Sequence, residues 1–573
     1  MVDDSRAFPG LSNSPARPTL RVETLVLVVC TFMIATANGP WWQAVNAGRS
    51  WSSVGTWGFA AACFVALVAL HFVVLAAVAN QWIVKPLLTI IVICAAGAAY
   101  YMRTFSVILD PSMMRNVLRT DTREAGDLLS WGMAGWVVLW SALPVAFIWW
   151  VRLARTRLLK AFLVRMGTVA AALIVAVLAV LTMSRDITSF MRNQREARYL
   201  ITPGNFLYGF GLNSLHGVAD ANVPREVVGQ DARVIHVALA TKPRLLVLVV
   251  GETARAENFS LLGYSRKTNP ELAKLDVTAF SHVTSCGTST EVSVPCMFSQ
   301  LGHEQYDERR IRNSEGLLDV LEHAGYTVEW LDNQSGCKGV CTGKGIEVEK
   351  LDASTAPDLC DGNECYDEIL VRRLQSELPD IRRDTVLVMH MMGNHGPAYF
   401  KRYPPAFRRF TPDCTTAQLR ECTREQVVNA YDNAILYTDH VLAQIVTSLA
   451  HSSDRIDAAM LYVSDHGESL GEKGLYLHGI PSAIAPSQQT HVPMVLWLSP
   501  ALTSTGDVSA RCVRARADKQ YSHDNLFDSV LGLLNVRTAA YRPARDVFDG
   551  CRGGSYMVHS AASDHASPRG TLN

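Results

Sequence analysis

The sequence predicts an N-terminal α-helical transmembrane bundle of five spans, followed by an exported α/β domain with a mostly parallel sheet flanked by helices. Three observations predict this fold. Five apolar runs lie in the first 182 residues, ten of the thirteen cysteines follow the last run, and short β-rich runs alternate with helical stretches after residue 243. The 53 basic and 53 acidic side chains balance, so no nucleic-acid partner is predicted.

The five apolar runs are predicted to be membrane-spanning helices. They lie near residues 22–38, 57–79, 82–102, 131–151 and 162–182, and each approaches the roughly 20 residues that cross a bilayer. The first run could instead be a signal peptide, but it is long, has no obvious small-residue cleavage site and is followed by four further runs. Five such runs so close together also disfavour buried helices of a soluble protein.

Basic residues set the predicted orientation of these helices. The loop between the fourth and fifth runs carries five basic residues and no acidic one, so it should be cytoplasmic, as should the N-terminus. An odd number of spans then exports everything after residue 183. The loop 103–130 must lie outside although it contains four arginines; its four acidic residues reduce the weight of that objection.

The cysteines support an exported domain. An even number confined to the part of the chain after the last span is typical of disulfides in an oxidising compartment. A zinc site built from the close cysteine pairs is the alternative, which the irregular spacings disfavour. Eight of the ten form close pairs along the chain, but the connectivity stays open. The disulfide candidates are Cys286, Cys296, Cys337, Cys341, Cys360, Cys365, Cys414, Cys422, Cys512 and Cys551.

Composition divides the chain into four segments. Residues 1–182 are predicted to form the five-helix transmembrane domain, and residues 183–240 a basic, amphipathic linker along the membrane surface. Residues 241–553 are predicted to form the α/β domain, and the Ser, Gly and His-rich tail 554–573 to be disordered.

Within the α/β domain, five near-continuous apolar runs suit parallel strands buried on both faces. Helix-like stretches, such as 315–325 and 433–451, lie between them. The predicted strands are residues 244–250, 326–331, 385–390, 458–464 and 491–498.

Polar side chains follow several of these strands. Glu252 comes after the first, His395 after the third, and Asp465, His466 and Glu468 after the fourth. The carboxyl ends of parallel strands are where open α/β sheets bind ligands. Carboxylates and an imidazole, with one further ligand, suit a tetrahedral zinc site. A serine or threonine hydroxyl could be that ligand, because coordination to a metal activates a weak nucleophile.

The combined motif "GETAR…CGTSTEVSVPCMFS…SDHGES" resembles the phosphoethanolamine transferases of the alkaline-phosphatase superfamily, the EptA/MCR group, and the resemblance covers nearly the whole chain. It implies an exported domain of alkaline-phosphatase type with a catalytic zinc ion. It also implies that the nucleophile takes phosphoethanolamine from phosphatidylethanolamine as a covalent intermediate and releases diacylglycerol. The implied zinc ligands are Glu252, Thr290, Asp465 and His466.

The resemblance further implies the acceptor and the location. The acceptor would be lipid A or another lipopolysaccharide group, with lipid A phosphate, Kdo and core heptose left open. Its modification would lower the negative charge of the outer membrane and confer polymyxin resistance. The enzyme is expected to be a monomer in the bacterial inner membrane, with a periplasmic catalytic domain.

The substrate residues are also implied by the resemblance. His395 and His478 match a pair that faces the phosphate or holds a second zinc ion, while Lys338 and Glu468 match substrate-handling positions. His390 stays open between a structural role and a substrate role.

The loop 103–130 contains a further candidate, a donor-binding helix face. Asn116, Thr120 and Glu124 are spaced i, i+4 and i+8, so they share one face of a helix. The carboxylate could receive the ethanolamine ammonium. The alternative is an ordinary solvated face, and the resemblance favours donor binding.

Thr290 is preferred to the neighbouring Ser289 and Thr288 as nucleophile. It matches the family position, and it lies where a loop enters a helix whose dipole favours a phosphate. A bond between Cys286 and Cys296 would hold it in place. The sequence does not explain Glu291, because the family more usually has a small apolar residue there.

Two alternatives remain. A phosphoglycerol transferase or lipid phosphodiesterase of the same superfamily would have similar motifs, although the exported cysteines favour phosphoethanolamine transfer. An inactive lipid-binding or sensor protein would belong to a different class. It predicts the loss of at least one zinc ligand, and all four are present.

Overall fold

A computed structural model describes residues 17–120, 125–126, 128–220, 224–235, 242–362, 364–504 and 508–552. Glu124 and the predicted disordered tail lie outside the described residues. The chain forms two compact units. The first comprises residues up to 103 together with 131–207, and the second comprises 104–130 together with 208 onward.

The helices have the following bounds: α1 Val22–Thr36, α2 Gly39–Asn46, α3 Val54–Val78, α4 Val84–Thr104, α5 Pro111–Arg119, α6 Trp131–Trp150, α7 Leu158–Thr182, α8 Ser184–Asn193, α9 Gly204–Asp220, α10 Thr290–Met297, α11 Glu308–Arg312, α12 Leu317–His323, α13 Glu368–Glu377, α14 Arg424–His451, α15 Ser487–Thr490, α16 Pro500–Ser504, α17 Ala510–Arg514 and α18 Leu526–Leu533.

The strands have the following bounds: β1 Thr19–Leu20, β2 Arg152–Leu153, β3 Arg233–Val234, β4 Arg244–Gly251, β5 Val277–Thr284, β6 Thr327–Asp332, β7 Ile346–Lys350, β8 Thr385–His390, β9 Asp457–Ser464, β10 Ser469–Leu470, β11 Tyr476–Leu477, β12 His491–Leu498, β13 Gln520–Ser522 and β14 Val536–Arg537.

The first unit carries the membrane-length helices. Among the described residues, α3, α4, α6 and α7 are each long and apolar enough to cross a bilayer, and α1 with α2 pass the same test as a pair bent by 61°. The number of spans is therefore four, or five if the bent pair is one span. The bend lies at Asn38, where the buried side-chain amide donates to the carbonyls of Met33 and Thr202, and Pro40 then begins the next helix.

The second unit is built on an eight-stranded mixed sheet. The strand order is β13-β5-β12-β9-β4-β8-β6-β7. Strands β9, β4, β8, β6 and β7 are parallel to their neighbours in that series, and β13 is parallel to β5. All eight residues of β4 are buried, as expected for a central strand covered on both faces.

One strand runs against the prediction. Residues 491–498 form β12 as expected, but β12 is antiparallel to both β5 and β9, so the interpretation of this run as a parallel strand is wrong. The segment 465–490 between β9 and β12 contains a small hairpin, short helical turns and the four-residue helix α15. It lacks the long helix that usually carries a parallel crossover, and the chain returns in the opposite direction.

Candidate active site

The carboxyl ends of neighbouring strands bring the predicted polar residues together. In the order β9-β4-β8, Asp465 and His466 follow the first strand, Glu252 follows the second and His390 ends the third. Thr253 adopts a left-handed conformation with φ of 59°, which is uncommon for a β-branched residue. Its N–H donates to Asp465 Oδ1 at 3.1 Å, so the unusual turn after β4 joins the two strand ends.

Glu252, Asp465 and His466 form the core of a metal-binding geometry. One ligand atom from each lies within 4.8 Å of the others, and all three side chains are fully buried. His466 Nδ1 lies 2.9 Å from the Gly467 carbonyl, which can only accept, so Nδ1 carries the hydrogen and Nε2 keeps its lone pair. Asp465 Oδ2 has no hydrogen-bond partner among the described residues and lies 3.3 Å from that Nε2.

The electrostatics of this cluster call for a cation. Burial, followed by the charge of Asp465, raises the pKa of Glu252, and burial raises the pKa of Asp465. Burial also lowers the pKa of His466 to about 4, which keeps the imidazole neutral. In the described part of the chain, the ion pairs of these two buried carboxyl groups are with His466, and none is with a lysine or arginine. The donor set, two carboxylates and an imidazole nitrogen, fits zinc.

The Thr290 hydroxyl lies beside this cluster. It is the first residue of α10, after the N-cap Ser289. Its Oγ1 lies 3.1 Å from Glu252 Oε2, to which it donates, and 3.4 Å from His466 Nε2. The hydroxyl therefore adjoins the three metal-site side chains at the positive end of a helix dipole, where a phosphate is favoured.

Other hydroxyls of the same stretch have structural partners. Thr288 Oγ1 donates to the Ile480 carbonyl at 2.7 Å, and Ser293 Oγ donates to the Asp465 carbonyl at 2.5 Å. The Ser293 bond ties the helix that begins with Thr290 to the strand end that carries Asp465. These contacts support the preference for Thr290 over its neighbours.

The ten cysteines that follow residue 183 form five disulfides, and four of these join cysteines that are close along the chain. The Cys286–Cys296 bridge has a Cα–Cα distance of 6.1 Å and joins the loop before α10 to the last turn of α10. A zinc site made from these cysteines is therefore excluded. The remaining bridges are Cys337–Cys341, Cys360–Cys365, Cys414–Cys422 and Cys512–Cys551.

Removal of the Cys286–Cys296 disulfide, which lies on either side of Thr290 along the chain, should lower activity. Cys296→Ala, made together with Cys286→Ala so that no free thiol remains, should lower specific activity by about tenfold or more because Thr290 loses its fixed position. Transfer activity per folded protein is the measurement. The matched control removes Cys512 and Cys551, and it should reduce the yield of folded protein more than specific activity. Equal losses of activity and yield in the first variant would show that the bridge serves folding alone.

His523 is a buried residue of the site that sequence reasoning missed. Its Nδ1 accepts a hydrogen bond from the Cys286 N–H at 3.1 Å and lies 3.3 Å from Ser293 Oγ, and its Nε2 donates to the Ser464 carbonyl at 3.0 Å. Burial lowers its pKa to about 4, so the ring stays neutral. His523 thus joins the nucleophile loop, α10 and β9, and only the tertiary structure shows this.

A second group of predicted residues adjoins the metal cluster. The rings of His466 and His478 are 4.3 Å apart, and those of His395 and His478 are 5.7 Å apart. His478 Nδ1 lies 2.9 Å from Glu468 Oε2, whose other oxygen accepts from Tyr399 at 2.7 Å. Burial raises the pKa of Glu468 to about 8, and burial followed by the charge of His478 lowers that of His395.

His390 is held by a carboxylate at the base of the site. Its Nδ1 lies 3.1 Å from Asp332 Oδ1, and its ring packs against Trp330. Its buried Nε2 has no hydrogen-bond partner among the residues that the structure describes. The Asp332 contact fixes the ring, as a structural role requires, while Nε2 remains able to contact a substrate. Both roles that the sequence left open are therefore compatible with this position.

Lys338 is linked to the metal cluster through its own loop. Its Nζ donates to the Ser335 carbonyl at 3.2 Å and to the Ser335 hydroxyl, which contacts Gln334 Oε1. Gln334 Nε2 donates to Glu252 Oε2 at 3.2 Å. Gln334 follows the predicted strand 326–331, but the sequence did not identify it as a site residue because an amide has many structural uses.

Helix α5 lies beside the nucleophile helix α10, within the second unit. Met113 of α5 contacts Gly479, next to His478, so closely that a Cβ on this glycine would collide with the methionine methyl group. Thr120 Oγ1, however, donates to the Asn116 carbonyl of its own helix at 2.7 Å. No hydrogen bond joins Asn116 or Thr120 to the metal cluster in the described part of the chain, so donor binding by this face stays a prediction.

Glu291, which the sequence left unexplained, is the centre of a buried ion pair. Its Oε1 accepts from Arg119 of α5 at 2.6 Å and from Arg312 of α11 at 2.7 Å. Arg312 also donates to the Glu291 carbonyl at 2.9 Å. The carboxylate is therefore directed away from the metal cluster, and it fastens the first turn of α10 to two other helices.

Neutralising Glu291 should loosen the nucleophile helix. Glu291→Gln removes the charge that balances two arginines, so we expect the free energy of unfolding to fall by about 1–3 kcal/mol and specific activity to fall as well. Thermal unfolding and diacylglycerol release are the measurements. Glu304→Gln is the control, because Glu304 pairs with Arg545 at 2.7 Å but is 73% exposed, and its loss should cost about 0.5 kcal/mol or less. Equal effects of the two substitutions would contradict this role of Glu291.

Comparisons with protein families agree with this geometry. A family model described as "Sulfatase" matches residues 244–536, the sheet and its active site. A second, described as "Phosphoethanolamine transferase EptA/EptB", matches residues 67–214. Together the two matches include the membrane-length helices from the later part of α3 onward and the whole eight-stranded sheet.

Individual relatives extend the match to most of the chain. Phosphoethanolamine transferase EptA of Escherichia coli K12 is 39% identical over 82% of this chain and 86% of the relative. Phosphatidylethanolamine transferase Mcr-1 of Escherichia coli is 36% identical over 89% and 94%, respectively. The solved structure of lipooligosaccharide phosphoethanolamine transferase A from Neisseria meningitidis is 36% identical with a TM-score of 0.87, covering 94% of this chain and all of that one. The chain belongs to the EptA family of phosphoethanolamine transferases.

Proposed function

We propose that this protein is a zinc-dependent enzyme that transfers phosphoethanolamine from phosphatidylethanolamine to lipid A, or to another lipopolysaccharide group, and releases diacylglycerol. The observation that carries the proposal is the position of the Thr290 hydroxyl, 3.1 Å from Glu252 and 3.4 Å from His466 at the start of a helix. The relatives are named as phosphoethanolamine transferases, which supports phosphoethanolamine as the group transferred. The relative from Neisseria meningitidis is named as a lipooligosaccharide phosphoethanolamine transferase, which supports a lipooligosaccharide acceptor.

Thr290 carries the transfer in two steps. Its Oγ1 attacks the phosphorus of the donor, the Oγ1–P bond forms, and the bond from phosphorus to the glycerol oxygen breaks. The Thr290 hydroxyl gives up its proton in this step, and diacylglycerol leaves with that electron pair and takes up one proton. An oxygen of the acceptor then attacks phosphorus, the Oγ1–P bond breaks, and the Thr290 oxygen takes up a proton from the acceptor or from water, which restores the hydroxyl. The positive end of the α10 dipole favours the phosphate in both steps.

The surrounding side chains hold the reacting groups. Glu252, Thr290, Asp465 and His466 would bind one zinc ion, which when bound lowers the pKa of the threonine hydroxyl and offsets the charge of the phosphoryl oxygens. His395 and His478 face the phosphate, or hold a second zinc ion, and Glu468 orients His478 through its 2.9 Å contact. Lys338 handles the substrate, and Asn116, Thr120 and Glu124 receive the donor.

The membrane arrangement is part of the proposal. Residues 1–182 form the transmembrane domain of an inner-membrane protein with a cytoplasmic N-terminus and five spans, in which α1 and α2 form one bent span. Residues 183–240 lie along the membrane surface, and residues 241–553 form the periplasmic catalytic domain. The five disulfides support an oxidising compartment for this domain.

The function is tested by expressing the protein in a polymyxin-sensitive Gram-negative bacterium and analysing its lipid A by mass spectrometry. We expect lipid A to gain the mass of phosphoethanolamine and the cells to tolerate more polymyxin. Purified protein should release diacylglycerol from phosphatidylethanolamine. A gain of the mass of phosphoglycerol would instead indicate the related phosphoglycerol transfer. Unmodified lipopolysaccharide together with no diacylglycerol release would overturn the proposal.

A further inference from the structure

A cavity of about 690 Å³ lies on the flank of α10, and Lys338 is the one residue of its lining to which the proposed function assigns a role. Its wall includes residues of α5, α10, α11 and the loop closed by the Cys337–Cys341 disulfide. Pro295 and Phe298, at and just after the end of α10, contribute apolar surface, as do Leu118 and Val340. The metal-site side of α10 is a different flank of the same helix.

The polar part of the wall is strongly cationic. The basic side chains that line it are Arg115, Arg119, Arg225, Arg309, Arg312 and Lys338. The acidic groups that face them are fewer, and each belongs to an ion pair among the described residues. Glu308 contacts Arg115 and Arg312, Glu291 binds Arg119 and Arg312, and Asp319 binds Arg225 at 2.9 Å. Among the residues that the structure describes, six basic side chains line the cavity and three carboxylates pair with four of them.

The cations are crowded enough to repel one another. Burial, followed by repulsion from Arg312, lowers the pKa of Arg115, and Arg119 acts in the same direction. Arg312 is also fixed in position, because Glu291 and Glu308 hold it from two sides at 2.7 and 3.1 Å. Guanidinium groups held in place beside apolar surface suit a phosphate carried by an amphiphile.

Residues of the cavity wall are connected to the reaction site through hydrogen bonds and through the chain itself. Glu291, which binds two of its arginines, directly follows the nucleophile Thr290. Lys338 is connected through Ser335 and Gln334 to Glu252. A ligand in the cavity would therefore lie against the two segments that position the nucleophile and one metal-site carboxylate.

We propose that this cavity binds a phosphate group of the acceptor, as a site separate from that of the donor. The inference rests on the proposed function and adds the location of the acceptor. The donor headgroup carries an ammonium beside its phosphate, which six cations would repel, whereas a phosphorylated glycolipid is purely anionic. Transfer adds an ammonium to the acceptor, so the modified product binds the cavity less tightly and leaves.

Arg309 and Arg310 provide a matched pair for the test. Both are exposed residues of α11, but only Arg309 lines the cavity. Full-length protein carrying Thr290→Ala, which prevents turnover, is placed in nanodiscs and titrated with diphosphorylated lipid A, with its dephosphorylated form and with phosphatidylethanolamine. Arg309→Glu should weaken binding of diphosphorylated lipid A by about tenfold or more, and Arg310→Glu by about twofold or less. Neither substitution should change binding of the other two lipids.

The other outcomes identify the source of the phosphate. Equal weakening by Arg309→Glu and Arg310→Glu would indicate general surface charge and overturn the proposal. Weakened phosphatidylethanolamine binding in Arg309→Glu alone would make this a donor site, and competition by equimolar inorganic phosphate would make it a free-anion site. Because binding is measured without turnover, these failures are distinct from failure of the proposed function, which would appear as no diacylglycerol release by the wild-type protein.

Discussion

Thr290→Ala is expected to abolish transfer, with a loss of about 10⁴-fold or more in diacylglycerol release and no detectable modification of lipid A. The substitution removes the oxygen that attacks phosphorus, and no neighbouring hydroxyl of the described residues has the same contacts with Glu252 and His466. Purified protein with a fluorescent phosphatidylethanolamine gives the rate, and mass spectrometry of the protein detects the covalent adduct on wild type only.

Two variants keep this test specific. Thr290→Ser retains a hydroxyl and should retain measurable activity. Thr288→Ala removes a buried hydroxyl that donates to the Ile480 carbonyl; it should lower stability by about 1 kcal/mol and leave the adduct in place. Transfer that persists in Thr290→Ala would show that another group is the nucleophile.

Removal of the metal should have the second largest effect. Chelation should abolish diacylglycerol release and lower the Tm by about 10 °C, because a tightly bound ion that the unfolded chain does not hold stabilises the folded state. Zinc, added back in stoichiometric amount, should restore both. Metal content and calorimetry of the detergent-solubilised protein are the measurements. If chelation demonstrably removes all metal from the protein and the Tm stays the same, a metal site at Glu252, Asp465 and His466 would be contradicted.

The effect of chelation should depend on pH. The pKa values of Glu252 and Asp465 are raised in the metal-free fold, so the folded state holds protons that the unfolded chain has lost. The stability of the metal-free protein is therefore highest below the ordinary carboxyl range and falls as the pH rises through the raised values. We expect the Tm difference between loaded and chelated protein to grow between about pH 5.5 and about pH 8.5. Asp465→Asn, which removes one carboxylate, should flatten this dependence.

The sequence was most informative where the physical signal is local. Long apolar runs predict helices of membrane length, and continuous β-rich runs predict the buried strands β4, β6, β8 and β9 within one or two residues. Strands β5, β7 and β13 were not predicted. The sheet leaves alternate residues of β5 partly exposed, and β7 and β13 lie at its edges, so these segments lack a continuous apolar signal.

Local sequence patterns could not predict the direction of β12 or the role of Glu291. A strand's apolar pattern is the same whichever way it runs, so the antiparallel pairing of β12 with β5 and β9 is seen only in the folded sheet. Glu291 is explained by Arg119, which lies 172 residues away along the chain, and by Arg312. Such a contact leaves no trace in the residues around it.

For the candidate site, too, the sequence identified residues, and the tertiary structure was needed to show which of them lie together. Residue chemistry at strand ends pointed to Glu252, Asp465 and His466, because carboxylates and an imidazole there suit a metal site. Thr290 was chosen among several hydroxyls through the family resemblance. Folding was needed to bring these four side chains, from three separate segments, into contact, and to place His523 and Gln334 behind them. It was also needed to gather six basic residues from distant segments around one cavity. Chemical suitability belongs to individual residues, whereas proximity between distant segments arises only when the whole sheet and its helices pack.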